Sequence, residues 1–203
     1  MANKPLDTTL LDNAIVFAVR AHAGTERRGK SFPYIVHPME AVEIVATMTR
    51  DQELLAAAVL HDTVEDTDVT LEQIRTEFGD RIASLVASES DIMPEGVSEE
   101  DDGEFLSSSW RSRKQTAIDR LARASHDAKI VALGDKLSNM RAIARDYALQ
   151  GDALWNLFHA KDPKDHEWHY RGLAYALSEL RDTFAYKEFE NLINQVFPLK
   201  PSV

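Results

Sequence analysis

The chain has 203 residues, 44% of them hydrophobic, with 8 Gly and 7 Pro; this is enough to bury a core and too apolar for a disordered or collagen-like chain. The absence of cysteine excludes disulfides, Cys-based zinc sites and thiol nucleophiles, so any metal must sit on His, Asp and Glu. The 23 Lys+Arg against 34 Asp+Glu give a net charge of −11, which disfavours a non-specific hold on nucleic acid, and no apolar run approaches the roughly 20 residues of a bilayer span.

Apolar residues recur at helical spacing along nearly the whole chain and strand-like alternation is scarce, which predicts an all-α protein. The opening MANKPLDTTLLDNA has neither a secretory nor a transit pattern, so a cytoplasmic location is expected. A first helix is predicted over Leu10–Ala23, capped by Thr8 or Thr9, followed by a loop broken by Gly24, Gly29 and Pro33. Pro38 suits the first turn of a helix running to about Thr49, and a third helix is expected from Asp51 through His61 and beyond. Thr70-Leu71-Glu72-Gln73 reads as a capping box opening a helix that stops at Gly79.

From Glu89 to Ser109 there are eight acidic residues and no basic one. With Pro94, Gly96 and Gly103, about 90–109 reads as a long mobile acidic loop, a candidate lid. From Trp110 to Asp146, nine Lys/Arg face four Asp, and helices are predicted over Arg111–Ala124 and Asp127–Tyr147. Further helices are expected at Ala153–Phe158, His166–Arg181 and Tyr186–Val196, with a loop at Ala160–Asp165. No repeat or linker divides the chain, so 1–203 is read as a single domain.

The informative polar residues lie in four short words. After the apolar run LLAAAVL the chain presents His61, Asp62, Glu65 and Asp66, and on a continuous helix His61 lies over Glu65 and Asp62 over Asp66. Three carboxylates within five residues raise one another's pKa unless a cation sits among them; the competing reading is a solvated helix end. His37 precedes Pro38, which should hold it extended at the mouth of a helix. It is either a packed side chain or a ligand. Asp135 sits in the apolar stripe of its helix with Asn139 at i+4, and a buried carboxylate and amide need partners. His37, His61, Asp62 and Asp135 form a mixed N/O set that suits Mn²⁺, Fe²⁺ or Zn²⁺. The basic groups at Arg20, Arg27, Arg28 and Lys30 and in the 110–146 segment either gather round an anionic ligand or are solvated faces.

The order H…HD…D resembles that of the HD-domain phosphohydrolases. The flanking words RRGKSFPYIVHP, AAAVLHDTVEDT, FGDRIASLV and LGDKLSNMR resemble the hydrolase domain of the RelA/SpoT homologue family, in its stand-alone small alarmone hydrolase form, over about residues 10–180. The basic loop departs from the family's usual word, which has Gly-Glu after the basic residues. The resemblance implies an HD-type helical bundle acting in the stringent response. Its reaction would remove the 3′-pyrophosphate of ppGpp or pppGpp, with one Mn²⁺ and other divalent transition metals open.

It further implies His37, His61, Asp62 and Asp135 as metal ligands and Glu65 and Asp66 as the pair that handles the attacking water. Arg27, Arg28, Lys30, Tyr34, Lys136 and Asn139 would bind the nucleotide, a small-molecule partner. Hydrolysis of another nucleotide (ppApp, the 2′-phosphate of NADPH or a nucleoside monophosphate) and a non-catalytic nucleotide-sensing role are the alternatives. His22 reads as structural or as an outer neighbour of the site, and His159, His166 and His169 with Trp155 and Trp168 as packing.

Overall fold

The computed structural model describes residues 7–27, 29–89 and 103–199. Among these residues there is no strand, only an isolated bridge between Glu26 and Pro33, and no helix is long and apolar enough to cross a membrane. The fold is all-α. The helices are α1 (Thr9–Ala21), α2 (Val36–Ala46), α3 (Gln52–Leu60), α4 (Thr63–Asp66), α5 (Leu71–Phe78), α6 (Asp80–Glu89), α7 (Gly103–Ala122), α8 (His126–Gln150), α9 (Pro163–Ala176) and α10 (Phe184–Val196). Two 3₁₀ segments, Gly151–Leu157 and Ser178–Leu180, join the last three.

The chain forms two compact units. The first holds α1 to α6 together with Ile130–Asp135 of α8. Its core is α3, on which α1, α2 and α6 pack and in which every residue from Leu54 to Leu60 is buried. Each fully buried Leu or Val contributes about 1.5–3 kcal/mol, so this short helix outweighs its length. Asp51 caps it by accepting from the Glu53 amide at 2.9 Å, and Arg81 of α6 reaches back to Asp51 at 2.8 Å and to Glu53. The expected capping box is present at Thr70–Gln73, and α5 ends at Gly79, whose φ of 89° is left-handed. Phe17 meets Phe78 edge-on at 5.3 Å, tying α1 to α5.

The second unit comprises α7, the rest of α8 and everything after it. Here α9 packs on α7 and α10, and Gly172 admits the Ile118 side chain where a Cβ would lie 2.6 Å from its Cδ1. Arg141 grips Glu188 with two bonds of 2.6 and 2.8 Å, joining α8 to α10. Trp155 stacks on His166 at 4.9 Å and on Phe197 at 5.5 Å, and His166 Nε2 lies 2.7 Å from the Ala160 carbonyl oxygen. The packing reading of His166 and Trp155 therefore holds.

Several boundaries depart from the sequence expectation. Helix α7 begins at Gly103, so 103–109 are helical where a loop over about 90–109 is expected: after Gly103 no Gly or Pro interrupts the run to Ala122. Residues 90–102 lie outside the described residues. Helix α9 starts at Pro163, inside the expected loop, because Asp162 accepts from the Lys164 amide at 2.9 Å with Pro at the first helical position. The Ala153–Phe158 segment winds as 3₁₀ after Gly151, at φ 57°, closes α8. At the front of α1, Thr8 gives its hydroxyl to Asp12 at 2.9 Å and makes no side-chain cap.

Leu60 is fully buried at the end of α3. Leu60→Ala is expected to lower the unfolding free energy by about 2–5 kcal/mol, measured as a shift in the urea midpoint.

Candidate metal centre

Three distant pieces of the first unit bring their polar residues to one point. His37 is the second residue of α2, which overturns the extended conformation expected for it before Pro38. The pre-proline restriction is a bias, and Pro38 sits in the first turn, where its missing N–H is needed by no carbonyl. Both residues are buried.

His61 follows the buried run of α3. Its Nδ1 lies 2.8 Å from the Ala58 carbonyl oxygen, which makes Nδ1 the protonated nitrogen and leaves the Nε2 lone pair facing the cluster. The continuous helix expected through His61 is broken. Helix α3 ends at Leu60, Asp62 has φ −91° and ψ −5°, and α4 is a single turn. Neighbours on a straight helix diverge by about 100°; the break lets these two converge, with His61 Nε2 3.0 Å from Asp62 Oδ2. Asp135 arrives on α8. The Cβ that Gly134 lacks would lie 2.6 Å from Val45 Cγ2 and 3.0 Å from the Ala41 carbonyl oxygen, so the glycine allows α8 to approach α2 closely enough for its neighbour to reach the site.

Asp135 Oδ1 lies 3.0 Å from His37 Nε2 and 3.5 Å from His61 Nε2, and His37 Nε2 is 3.4 Å from Asp62 Oδ2. The His37, His61 and Asp135 donor atoms lie within 4.8 Å of one another, and all three residues are buried. Ligands about 2.1 Å from a first-row divalent ion are separated by about 3.0–3.4 Å, so the observed spacings fit one shared ion. His61 Nε2 makes no hydrogen bond of acceptable geometry, although two carboxylates stand beside it.

The electrostatics agree. Burial alone would hold the His61 pKa down, but the Asp62 and Asp135 carboxylates push it well above its ordinary value. Burial likewise opposes ionisation of Asp62, yet the His61 and His37 imidazoles beside it hold its pKa far below the usual carboxylate range. A pocket that draws protons so strongly draws a cation for the same reason.

Tyr34 donates its hydroxyl to Asp62 Oδ2 at 2.7 Å, and burial together with Asp62 pushes its pKa far up, so it stays a donor. The sequence reading assigns Tyr34 to the nucleotide; the structure shows its hydroxyl bonded to the Asp62 carboxylate. Glu65 and Asp66 lie on α4 and are exposed, and Asp66 is within reach of the same hydroxyl. An open cavity of about 430 Å³ adjoins Asp66, lined also by Thr25, Thr67, Asp68 and Gln73.

The Arg27 guanidinium sits 5.5 Å from the Tyr34 ring centroid, and Lys30 shares its loop through a 2.9 Å backbone bond to Arg27. Arg28 lies outside the described residues. Lys136 and Asn139 are half-buried on α8 and belong to the second unit. The Tyr34–Asp62 bond and the part played by Gly134 were missed from sequence; only a glycine inside an otherwise apolar helix run hinted at close packing.

A model of the HD domain family matches residues 14–162. The guanosine-3′,5′-bis(diphosphate) 3′-pyrophosphohydrolase MESH1 of Danio rerio is 35% identical over 141 residues, 68% of this chain and 71% of that protein. A probable guanosine-3′,5′-bis(diphosphate) 3′-pyrophosphohydrolase of Synechocystis is 36% identical over 135 residues, 66% of this chain but only 17% of that protein. A solved metazoan SpoT orthologue, described as hydrolysing ppGpp, superimposes with a TM-score of 0.73 at 22% identity, over 97% of this chain and all of that one. This likeness identifies the HD-type helical fold. The lmo0812 protein of Listeria monocytogenes gives 0.66 at 26% identity, over 86% of this chain and all of its own.

Gly134→Ala is expected to cost about 1–3 kcal/mol and to weaken divalent-cation binding, since the new methyl meets the Ala41 backbone as well as Val45. Gly172→Ala has the Ile118 side chain as its nearest neighbour and should leave cation binding unchanged. Thermal melts with and without Mn²⁺ compare the two.

Proposed function

The chain belongs to the HD domain family, and from that premise we propose that it is a metal-dependent hydrolase that removes the 3′-pyrophosphate of ppGpp and pppGpp. The products are GDP or GTP and pyrophosphate. The observation that carries this reading is the convergence of two imidazole nitrogens and two carboxylates, from α2, the α3–α4 turn and α8, to separations of 3.0–3.5 Å. The activity named for the Danio rerio relative, with 71% of its length covered, supports the substrate. The proposal takes 1–203 as one HD phosphohydrolase domain.

His37, His61, Asp62 and Asp135 hold the ion, for which the mixed donor set favours Mn²⁺ among the first-row divalent metals. When bound, such a cation offsets phosphoryl charge and makes water a stronger acid. The rest falls to the chain. Tyr34 fixes the Asp62 carboxylate with its hydroxyl. Glu65 and Asp66, exposed beside the ligands, orient the attacking water and take its proton as its oxygen bonds to phosphorus. The ester bond to phosphorus breaks, and the ribose 3′ oxygen leaves with a proton. Arg27, Arg28, Lys30 and Lys136 screen the phosphate charge, and Asn139 contacts the nucleotide near the ribose. Consumption of a small nucleotide accords with a cytoplasmic location.

The test is a substrate panel of ppGpp, pppGpp, ppApp, NADPH and nucleoside monophosphates with added Mn²⁺, products being read by chromatography. Pyrophosphate release from the guanosine substrates, stopped by EDTA, is expected; preferential turnover of NADPH or of monophosphates would reject the alarmone assignment. Asp62→Ala should reduce turnover to the background rate. Glu65→Ala should keep its metal and lose about 10²–10⁴ in kcat, with Mn²⁺ binding followed by calorimetry.

A further inference from the structure

His22 closes α1 and is 2% exposed, and among the described residues neither ring nitrogen has a hydrogen-bond partner. Unpartnered buried polar atoms are costly, and here they contribute no bond in return. The contact that His22 does make toward the site is through its ring face. That face is occupied: the imidazole stacks on Tyr34 with centroids 4.9 Å apart and planes 29° from parallel. Tyr34 in turn meets His37 edge-on at 6.0 Å, and His37 meets His61 at 5.2 Å. A line of four rings thus runs from the end of α1 to the two histidines of the metal centre.

The backbone holds the stack in register. The Thr25 amide bonds the His22 carbonyl oxygen at 3.1 Å, and the Tyr34 amide bonds the Thr25 carbonyl oxygen at 2.9 Å. Tyr34 is the piece that needs holding, because its hydroxyl is spent on Asp62 Oδ2, the oxygen that also faces His37 and His61. A phenol free to swing about its Cα–Cβ bond would leave that carboxylate to rotate. We infer that His22 is a positioning residue of the metal centre, acting through Tyr34: its ring face fixes the phenol, and the phenol fixes Asp62. The inference rests on the reading of His37, His61, Asp62 and Asp135 as metal ligands.

The experiment measures Mn²⁺ affinity by calorimetry, on proteins checked for folding by circular dichroism. His22→Leu fills the space without a planar face and should weaken Mn²⁺ binding about tenfold, the low end of what outer partners of metal ligands contribute. His22→Phe keeps the face and should bind as the wild type does, with a raised Tm because two unpartnered nitrogens are gone. Tyr34→Phe should also weaken binding, and adding His22→Leu to it should cost nothing more, since the partner through which His22 acts is already silent. Wild-type affinity in folded His22→Leu overturns the inference, as does a full tenfold further loss in the double variant or failure of folded His22→Phe to restore binding. Absence of Mn²⁺ binding in the wild type would overturn the metal-centre reading and this inference with it, a result distinct from the others.

Discussion

The imidazoles of His37 and His61 and the carboxylate of Asp135 bring donor atoms within 4.8 Å of one another inside the first unit, with Asp62 Oδ2 beside both imidazoles, and positive charge among them relieves the repulsion of their lone pairs. His61 shows the conflict most sharply. Its Nδ1 is turned to the Ala58 carbonyl, so Nε2 must present a lone pair, or bind a proton, against carboxylate oxygens 3.0 and 3.5 Å away. In a medium of low polarity such an arrangement costs far more than it would in water. Side chains kept in this state have to be held from outside, and the unit supplies that hold through a fully buried α3, a close α2–α8 approach at Gly134 and a phenol locked behind Asp62.

The six residues from His61 to Asp66 combine two needs that oppose each other. Clustered imidazoles and carboxylates must be held dry and immobile to stay together, whereas other ionised carboxylates are best left in water. The chain meets both by stopping α3 at Leu60: His61 and Thr63 are buried, while Glu65 and Asp66 are exposed. Breaking a helix frees carbonyls, and here the freed groups are taken up locally. Thr63 donates to the Leu60 carbonyl oxygen at 2.7 Å, Thr67 to that of Thr63 at 2.6 Å, and the Asp66 amide to that of Asp62 at 2.9 Å. The two threonines of HDTVEDT thus have a structural part to play beside the acidic residues.

Much of the architecture was legible. Helical periodicity gave the all-α class and most of the long helices, the Thr70–Gln73 box and Gly79 marked both ends of α5, and the change from LLAAAVL to HDTVED marked where the buried run of α3 ends. Boundaries failed where a local signal was weighed against the wrong neighbour. Asp162-Pro163 reads as loop in sequence but is a cap followed by a first-turn proline, and Gly103 reads as part of a loop but opens α7. His37 before Pro38 reads as extended, because the steric rule for the dipeptide does not contain the helix that the tertiary packing of α2 on α3 imposes.

The amino-acid sequence by itself determined the helical class, the donor types and the order in which they occur, since those follow from composition and from spacing along one chain. Only the tertiary structure decided that His37, His61, Asp62 and Asp135 meet, that a break at Leu60 turns adjacent residues toward one point, and that Tyr34 serves Asp62. These depend on distances between segments tens of residues apart, and such distances are set by how buried faces pack against each other, which no local pattern encodes.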